Sequence, residues 1–222
     1  MTNSIFIKIT LLSAFFFSLL STTNAQDYPW KLKAEKEGIN IYNRSVSHSR
    51  IKELKMTTSV KTNLGALVSI LDDVTRYPEW MHGCKGGERA NRESDVTSFY
   101  KSTIQFPKPL AWRVMFIRNI IEQDSVTKVV TLKTVSVKND KFDDDDFVVM
   151  KDMYTTWKLT PTADGVVEIE SYLFADPSGN IPFWLVNSLL DRAPLKSIQR
   201  LLKRLKEEEF AGKEVEGIEE ID

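Results

Sequence analysis

The chain has 222 residues, with 30 basic against 31 acidic side chains and a formal net charge of −1, a balance that excludes nucleic acid as a default partner. Its single cysteine, Cys84, can form no internal disulfide, so a hydrophobic core alone must hold the fold. The length suits one domain with a sizeable core and is too short for two ordinary ones.

The first residues read as an address. Lys8 supplies a small positive region, Ile9 to Leu20 an apolar region too short to span a bilayer comfortably, and Thr23-Asn24-Ala25 a small-residue cleavage site. Residues 1–25 are therefore expected to be a cleaved signal peptide. The mature chain would begin near Gln26 and be exported, either periplasmic or secreted. No Cys follows the cleavage site to anchor a lipoprotein, and no later apolar run is long enough for a stop-transfer helix.

Trp30 to Lys36 and Ile39 to Ser45 predict a hairpin about Glu37-Gly38, and Ile51 to Val60 a third strand ending before Thr62-Asn63. Leu64, Leu67, Val68 and Leu71 then follow helical spacing, with Thr62 or Asn63 as N-cap. That helix gives way at Arg76-Tyr77-Pro78. Six segments rich in β-branched and aromatic residues follow: Glu88 to Glu93, Val96 to Phe106, Trp112 to Glu122, Val126 to Val137, Phe147 to Leu159 and Val166 to Ala175. Their joints carry turn chemistry, as at Phe106-Pro107-Lys108-Pro109 and Pro161 to Gly165, and predict an antiparallel meander.

The run Asp176-Pro177-Ser178-Gly179-Asn180-Ile181-Pro182 turns the last strand sharply into a closing helix over Pro182 to Phe210, bent at Pro194. Leu195, Ile198, Leu201, Leu202 and Leu205 make its apolar stripe, while Arg192, Lys196, Arg200 and Arg204 recur on another face. That basic stripe is either a solvated face or a surface for anionic lipid headgroups. Residues 211–222, acidic and Gly-containing, are expected to form a disordered tail. The fold class is thus α+β: a curved antiparallel sheet of about nine strands wrapped around a long C-terminal helix, with core or cavity between them.

Several weak motifs in this order resemble the START family, the steroidogenic-acute-regulatory-related lipid-transfer domains of the Bet v 1-like superfamily. They are Gly38-Ile39-Asn40-Ile41-Tyr42, Asp73 with Tyr77-Pro78-Glu79-Trp80, Pro107 and Pro109 before Arg113, Trp157-Lys158-Leu159-Thr160-Pro161, and the 176–187 junction. The resemblance covers about Tyr28 to Phe210 and implies a START-like lipid-binding domain over 26–210. It implies a helix-grip fold with a hydrophobic tunnel between sheet and last helix, holding one lipid or other apolar molecule, with loops and the C-terminal helix gating entry. The family arginine that begins the sixth strand falls on Arg113, but the aspartate that usually follows is Val114 here; Glu93 and Asp95 are candidate acidic partners.

Alternation predicts which side chains face the closing helix, where they would line the tunnel that the resemblance implies or fill a core. If Trp157 and Leu159 face inward, so do Met153 and Thr155; the last strand adds Val167, Ile169, Ser171 and Leu173, and the Arg113 strand adds Met115 and Ile117. From the closing helix, Trp184, Leu195 and Ile198 are expected to complete the lining. Phe106, Leu110, Trp112, Asp176 and Pro182 are expected to form the gate, because they put apolar or turn residues in segments that should face solvent.

Other chemistry lacks its parts. Asp140 with Asp143 to Asp146 has neither the Gly nor the distal Glu of a calcium loop and reads as solvated. His48, His82 and Cys84 cannot make a tetrahedral metal site, and His82-Gly83-Cys84 offers a nucleophile beside a base only if the fold supplies the geometry. The sequence therefore predicts an exported carrier without metal or cofactor. It would be a monomer whose partners are an apolar small molecule and, transiently, a membrane surface. The alternative is a cyclase- or aromatase-like enzyme of the same superfamily, with Arg113, Tyr100 or Tyr154 as proton donors.

Overall fold

The structure, a computed structural model, describes residues 28–94, 96–138, 147–190 and 192–221. The expected signal segment 1–25, the start near Gln26, Asp95, the acidic run at Asp140 and Asp143 to Asp146, and Asp222 lie outside the described residues.

A hairpin opens the sheet, with β1 (Lys31–Lys36) against β2 (Ile39–Val46). Its turn residues, Glu37 and Gly38, both adopt positive φ, the twist that a two-residue hairpin demands. β3 (Ser49–Lys61) pairs with β2 and leads into α1 (Leu64–Asp72), a 3-10 turn at Val74–Arg76 and the single-turn α2 (Tyr77–Trp80). A meander follows: β4 (Cys84–Arg92), β5 (Thr97–Ile104), β6 (Arg113–Gln123), β7 (Val130–Ser136), β9 (Asp152–Pro161) and β10 (Val166–Asp176). Between β7 and β9, the two residues of β8 (Val148–Val149) pair in parallel with Arg113 and Val114, so the strand expected over Phe147 to Leu159 is interrupted.

The strands lie in the order β1-β2-β3-β10-β9-β7-β6-β5-β4, a curved sheet that is antiparallel apart from β8. β10 bonds to both β3 and β9, which joins the opening strands to the meander and makes one continuous concave face. α1 packs against this face with Leu64, Leu67, Val68, Ile70 and Leu71, all buried in one cluster with Ile39, Ile41, Leu54, Leu132 and Leu159. No helix among the described residues is long and apolar enough to cross a membrane.

The expected single closing helix is two helices, α3 (Phe183–Leu190) and α4 (Ala193–Arg204), followed by a 3-10 turn at Glu208–Phe210. Pro194 stands in the first turn of α4. It has no N–H to offer, and its ring would clash with the carbonyl of Leu190, so the chain restarts where a missing donor costs nothing.

The C-terminal segment also departs from expectation, because it is docked where a disordered tail was expected. Val215 and Ile218 pack against the core, and the Glu220 carboxylate accepts hydrogen bonds from the backbone N–H groups of Leu64 and Gly65, each at 2.9 Å. Asn63 occupies the N-cap position of α1 without a side-chain cap, so Glu220 supplies it from the far end of the chain. A Cβ on Gly65 would lie 2.3 Å from the carbonyl oxygen of Lys213, and the bare glycine lets the tail pass.

Candidate functional site

The concave face does not close on the helices. Between them lies a cavity of about 620 Å³, within the roughly 300–1,000 Å³ range of small-molecule sites. Strand pairing builds its wall in rows: Ser102 opposite Met115, Thr134 opposite Thr155 and Thr155 opposite Leu173, and Met56, Ser171 and Trp157 side by side on β3, β10 and β9. Val186, Leu189 and Leu190 of α3 cover one side, and Pro194, Ser197 and Ile198 of α4 another. Met56, Met81, Met115, Met150 and Met153 all border the space, and the only other methionine of the chain is Met1. Unbranched thioethers repack at low cost, so this wall tolerates varied apolar shapes.

An aromatic chain closes the cavity at α2. Tyr100 meets Tyr77 edge-on, Tyr77 meets Trp80 and Trp80 meets Trp157, with ring centroids between 5.3 and 6.3 Å apart. The Tyr77 hydroxyl donates to the carbonyl of Leu71 (2.8 Å) and lies 3.2 Å from the Tyr100 hydroxyl. Burial pushes both phenols up, Tyr100 to about 12, so both stay protonated. Behind them Thr134 donates to Asn119 (2.9 Å), and the Asn119 amide donates to Asp72 (3.2 Å), which also takes Arg89 and Arg92. These polar groups largely satisfy one another, which leaves the lining chiefly apolar.

The rim is basic. Lys85, Lys108 and Arg200 are exposed at the edge of the cavity beside half-buried His82, and no Asp or Glu lines it among the described residues. Burial lowers the His82 pKa, and Lys196, Arg200 and Lys85 lower it further. The Cys84 thiol donates to the carbonyl of Gly86 (3.4 Å), and burial raises its pKa, the reverse of what an activated nucleophile requires. No group of three or more His, Cys, Asp or Glu side chains is placed to hold a metal ion among the described residues.

Of the wall residues expected from alternation, Met115, Ile117, Met153, Thr155, Trp157, Ser171 and Leu173 border the cavity, together with Ile198 of α4. Val167 and Ile169 share the parity of Ser171 but lie nearer the start of β10, in the filled core with Leu159. Leu195 is half-buried against that core, and Trp184 points outward, 63% exposed. Arg113 is not a cavity side chain either. Its Nε donates to the carbonyl of Pro177 (3.0 Å), its terminal nitrogens donate to the carbonyls of Ala111 and Ser178, and its guanidinium lies over the Phe106 ring, 4.7 Å from the centroid. It is buried among carbonyls, and desolvation lowers its pKa.

Among the expected gate residues only Phe106 borders the cavity. Leu110 is half-buried off it, and Trp112 leans on Phe147. Asp176 accepts from the N–H of Ser178 (2.8 Å) and, with Pro182, lines a separate shallow groove beside His48 and Phe183. Tyr154, a candidate proton donor, is outside the cavity, stacked on Phe174 and donating to Glu53 (2.9 Å). Sequence reasoning missed Tyr77, Met81, Lys85, Ser102 and Thr134 as lining residues, whereas Trp80, read as a residue of the interior or rim, and His82 and Cys84, weighed as a nucleophile pair, border the cavity. The alternation Tyr100, Ser102, Ile104 on β5 was the available signal for part of that set.

A family model for the START domain matches residues 18–209. The chain belongs to the START family. A curated relative, an uncharacterized protein of Pseudomonas aeruginosa, is 28% identical over 198 residues, 88% of this chain and 95% of that one. Among solved structures, a STAR-related lipid transfer protein fragment from Xanthomonas axonopodis superposes with a TM-score of 0.74 at 24% identity, covering 80% of this chain and 99% of that one. Human StAR-related lipid transfer protein 5 gives 0.72 at 14% identity (84% and 88%), and human STARD10 gives 0.70 at 19% (78% and 71%). At these identities the solved structures establish a shared START fold.

Proposed function

We propose that this protein is an exported carrier that holds a lipid or other apolar small molecule in the cavity between its sheet and its closing helices. The observation that carries this reading is the cavity itself, about 620 Å³ of chiefly apolar, methionine-rich space in a START-family chain. Each buried methylene contributes about 0.8 kcal/mol, so a ten-carbon chain gains roughly 8 kcal/mol before the costs of association and ordering. No charged anchor is needed. The chiefly apolar lining supports the carrier reading, while Tyr100, which borders the cavity, is the residue on which the cyclase-like alternative would rest.

The ligand enters and leaves under α3, next to the Phe106 loop, while the sheet stays fixed. Phe183 and Trp184, 43% and 63% exposed at the start of α3, are the side chains a membrane interface would accept. All of the lining residues belong to one chain, and the carrier acts as a monomer. Native mass spectrometry of the gently purified protein is expected to show a bound apolar species, removed by organic extraction and regained from phosphatidylcholine vesicles. A protein that carries nothing and takes up nothing would end this reading.

A further inference from the structure

The chain does not treat its cations alike. Arg76 and Arg204 share the carboxylates of Glu79 and Glu209, so the charges at the end of α4 are neutralised in pairs. Lys85, Lys108, Lys196 and Arg200 are exposed, and none of the four makes an ion pair among the described residues. A lone unpaired lysine is ordinary on a surface. Like charges gathered without a counterion repel one another and create a local field that an anion would relieve.

Three segments gather these four at the mouth of the cavity. Lys196 and Arg200 lie one turn apart on α4, Lys85 is in β4 and Lys108 is in the loop after β5. Lys85, Lys108 and Arg200 border the cavity, and Ser197, next to Lys196, accepts the N–H of His82 (2.9 Å), which ties α4 to the chain entering β4. The Gln105 N–H donates to the carbonyl of Gly83 (2.7 Å) and brings the loop that carries Lys108 to the same corner. His82 stands among them: burial, and then Lys196, Arg200 and Lys85, lower its pKa, so three of the cations act on one ring. No Asp or Glu lines the cavity among the described residues, and with 30 basic against 31 acidic residues in the chain this excess of one sign is local.

We propose that the cavity mouth is a docking face for an anionic phospholipid surface, on which Lys85, Lys108, Lys196 and Arg200 meet headgroup phosphates and hold the entrance against the bilayer. This rests on the carrier reading and specifies its membrane partner: the surface that delivers or receives the ligand is negatively charged. Exposed aromatic rings enter an interface whatever its headgroups, whereas each cation near an anionic surface strengthens attachment about fivefold. Because the rest of the chain is nearly neutral, the four cations also set the orientation of the encounter, mouth first.

The test is co-flotation of the protein with vesicles of phosphatidylcholine, or of phosphatidylcholine mixed equally with phosphatidylglycerol, at low and high salt. Wild type is compared with Lys85→Gln/Lys196→Gln/Arg200→Gln and with Lys31→Gln/Lys33→Gln/Lys158→Gln, which removes three exposed cations from strands away from the mouth. Wild type is expected to favour the anionic vesicles about a hundredfold, less so in high salt. The mouth variant is expected to lose that preference, about fivefold for each cation removed, and the other variant to keep it within about threefold. All of these positions are exposed, so both variants should melt with wild type. Equal binding to the two vesicles, or equal losses in the two variants, would overturn the inference; so would full displacement by glycerol phosphate, the mark of a site for a free phosphate ester. Uptake of the neutral probe N-phenyl-1-naphthylamine reports the cavity separately. Uptake without vesicle preference leaves the carrier reading standing and sinks this inference, whereas no uptake sinks the carrier reading whatever the vesicles show.

Discussion

α4, with Leu205 at its C-cap, sends Ile198, Leu201 and Leu205 into the core and finishes in an ion-pair network, whereas α3 buries Val186 alone and leaves two aromatic rings exposed. In that network Arg204 reaches Glu79 (2.7 Å) and Glu209 (2.9 Å), and Arg76 reaches the same two carboxylates at 2.9 and 2.6 Å. The polar ties of α3 to the sheet come from Asn187, which accepts from the N–H of Lys52 (2.9 Å) and donates to the carbonyl of Arg50 (3.2 Å). Both helices border the cavity. On the proposed reading this contrast assigns their parts: α4, with its apolar burial and multiple partners, is the fixed post, and α3, more sparsely attached, is the cover.

The largest effect should come from the post. Leu201→Ala, at a fully buried position, is expected to cost about 2–5 kcal/mol in denaturant unfolding while leaving ligand exchange rates unchanged. Val186→Ala should cost less and speed ligand release. Equal effects on exchange from both would erase the distinction between the helices.

Arg113 comes next. It ties the Phe106 loop and the junction before α3 to β6, so Arg113→Ala should cost about 3 kcal/mol and raise hydrogen exchange at residues 176–190 more than in α4. A uniform rise across both helices would show that Arg113 does not control the cover. Smaller still is the tail contact. Glu220→Ala should cost about 0.5–2 kcal/mol by uncapping α1, with little change in ligand binding, since the tail lies away from the cavity.

The smallest effect is pH-dependent. Burial and the neighbouring cations hold the His82 pKa below its ordinary 6.5, so the unfolded chain takes up its proton at higher pH than the folded one. The stability contributed is complete above pH 6.5 and is lost as pH falls through the folded value. His82→Gln should therefore show a shallower loss of stability below pH 6.5 than wild type, measured by urea unfolding at a series of pH values.

How far the sequence could be read depended on the kind of order involved. Strand parity is local: once Trp157 faces the helices, Met153 and Thr155 must as well, and Met115 and Ile117 follow on β6. Where along a strand the cavity stops is not local. Val167 and Ile169 have the right parity and lie in the filled core, because what lies over them is decided by elements distant in sequence. Arg113 also has the right parity. It begins its strand, and its long side chain reaches past the sheet to the carbonyls of residues 111, 177 and 178.

Helical faces were harder to read. The run Phe183, Trp184, Leu185, Val186 is apolar on nearly every side, so its spacing could not say that Val186 faces inward and Trp184 outward. The acidic tail misled for a related reason. Composition describes what a segment would do alone, and Glu220 instead meets the free N–H groups at the start of α1. The methionines were legible in hindsight: every one after Met1 borders the cavity.

The central claim is that α3 covers an apolar ligand held against the sheet. Hydrogen exchange of the lipid-stripped protein, measured before and after loading with dodecan-1-ol, tests it most directly. The account predicts that amides of Phe183–Leu190 exchange faster than those of Ala193–Arg204 in the stripped protein and gain the larger protection on loading. Equal protection of the two helices, unchanged by loading, would contradict it.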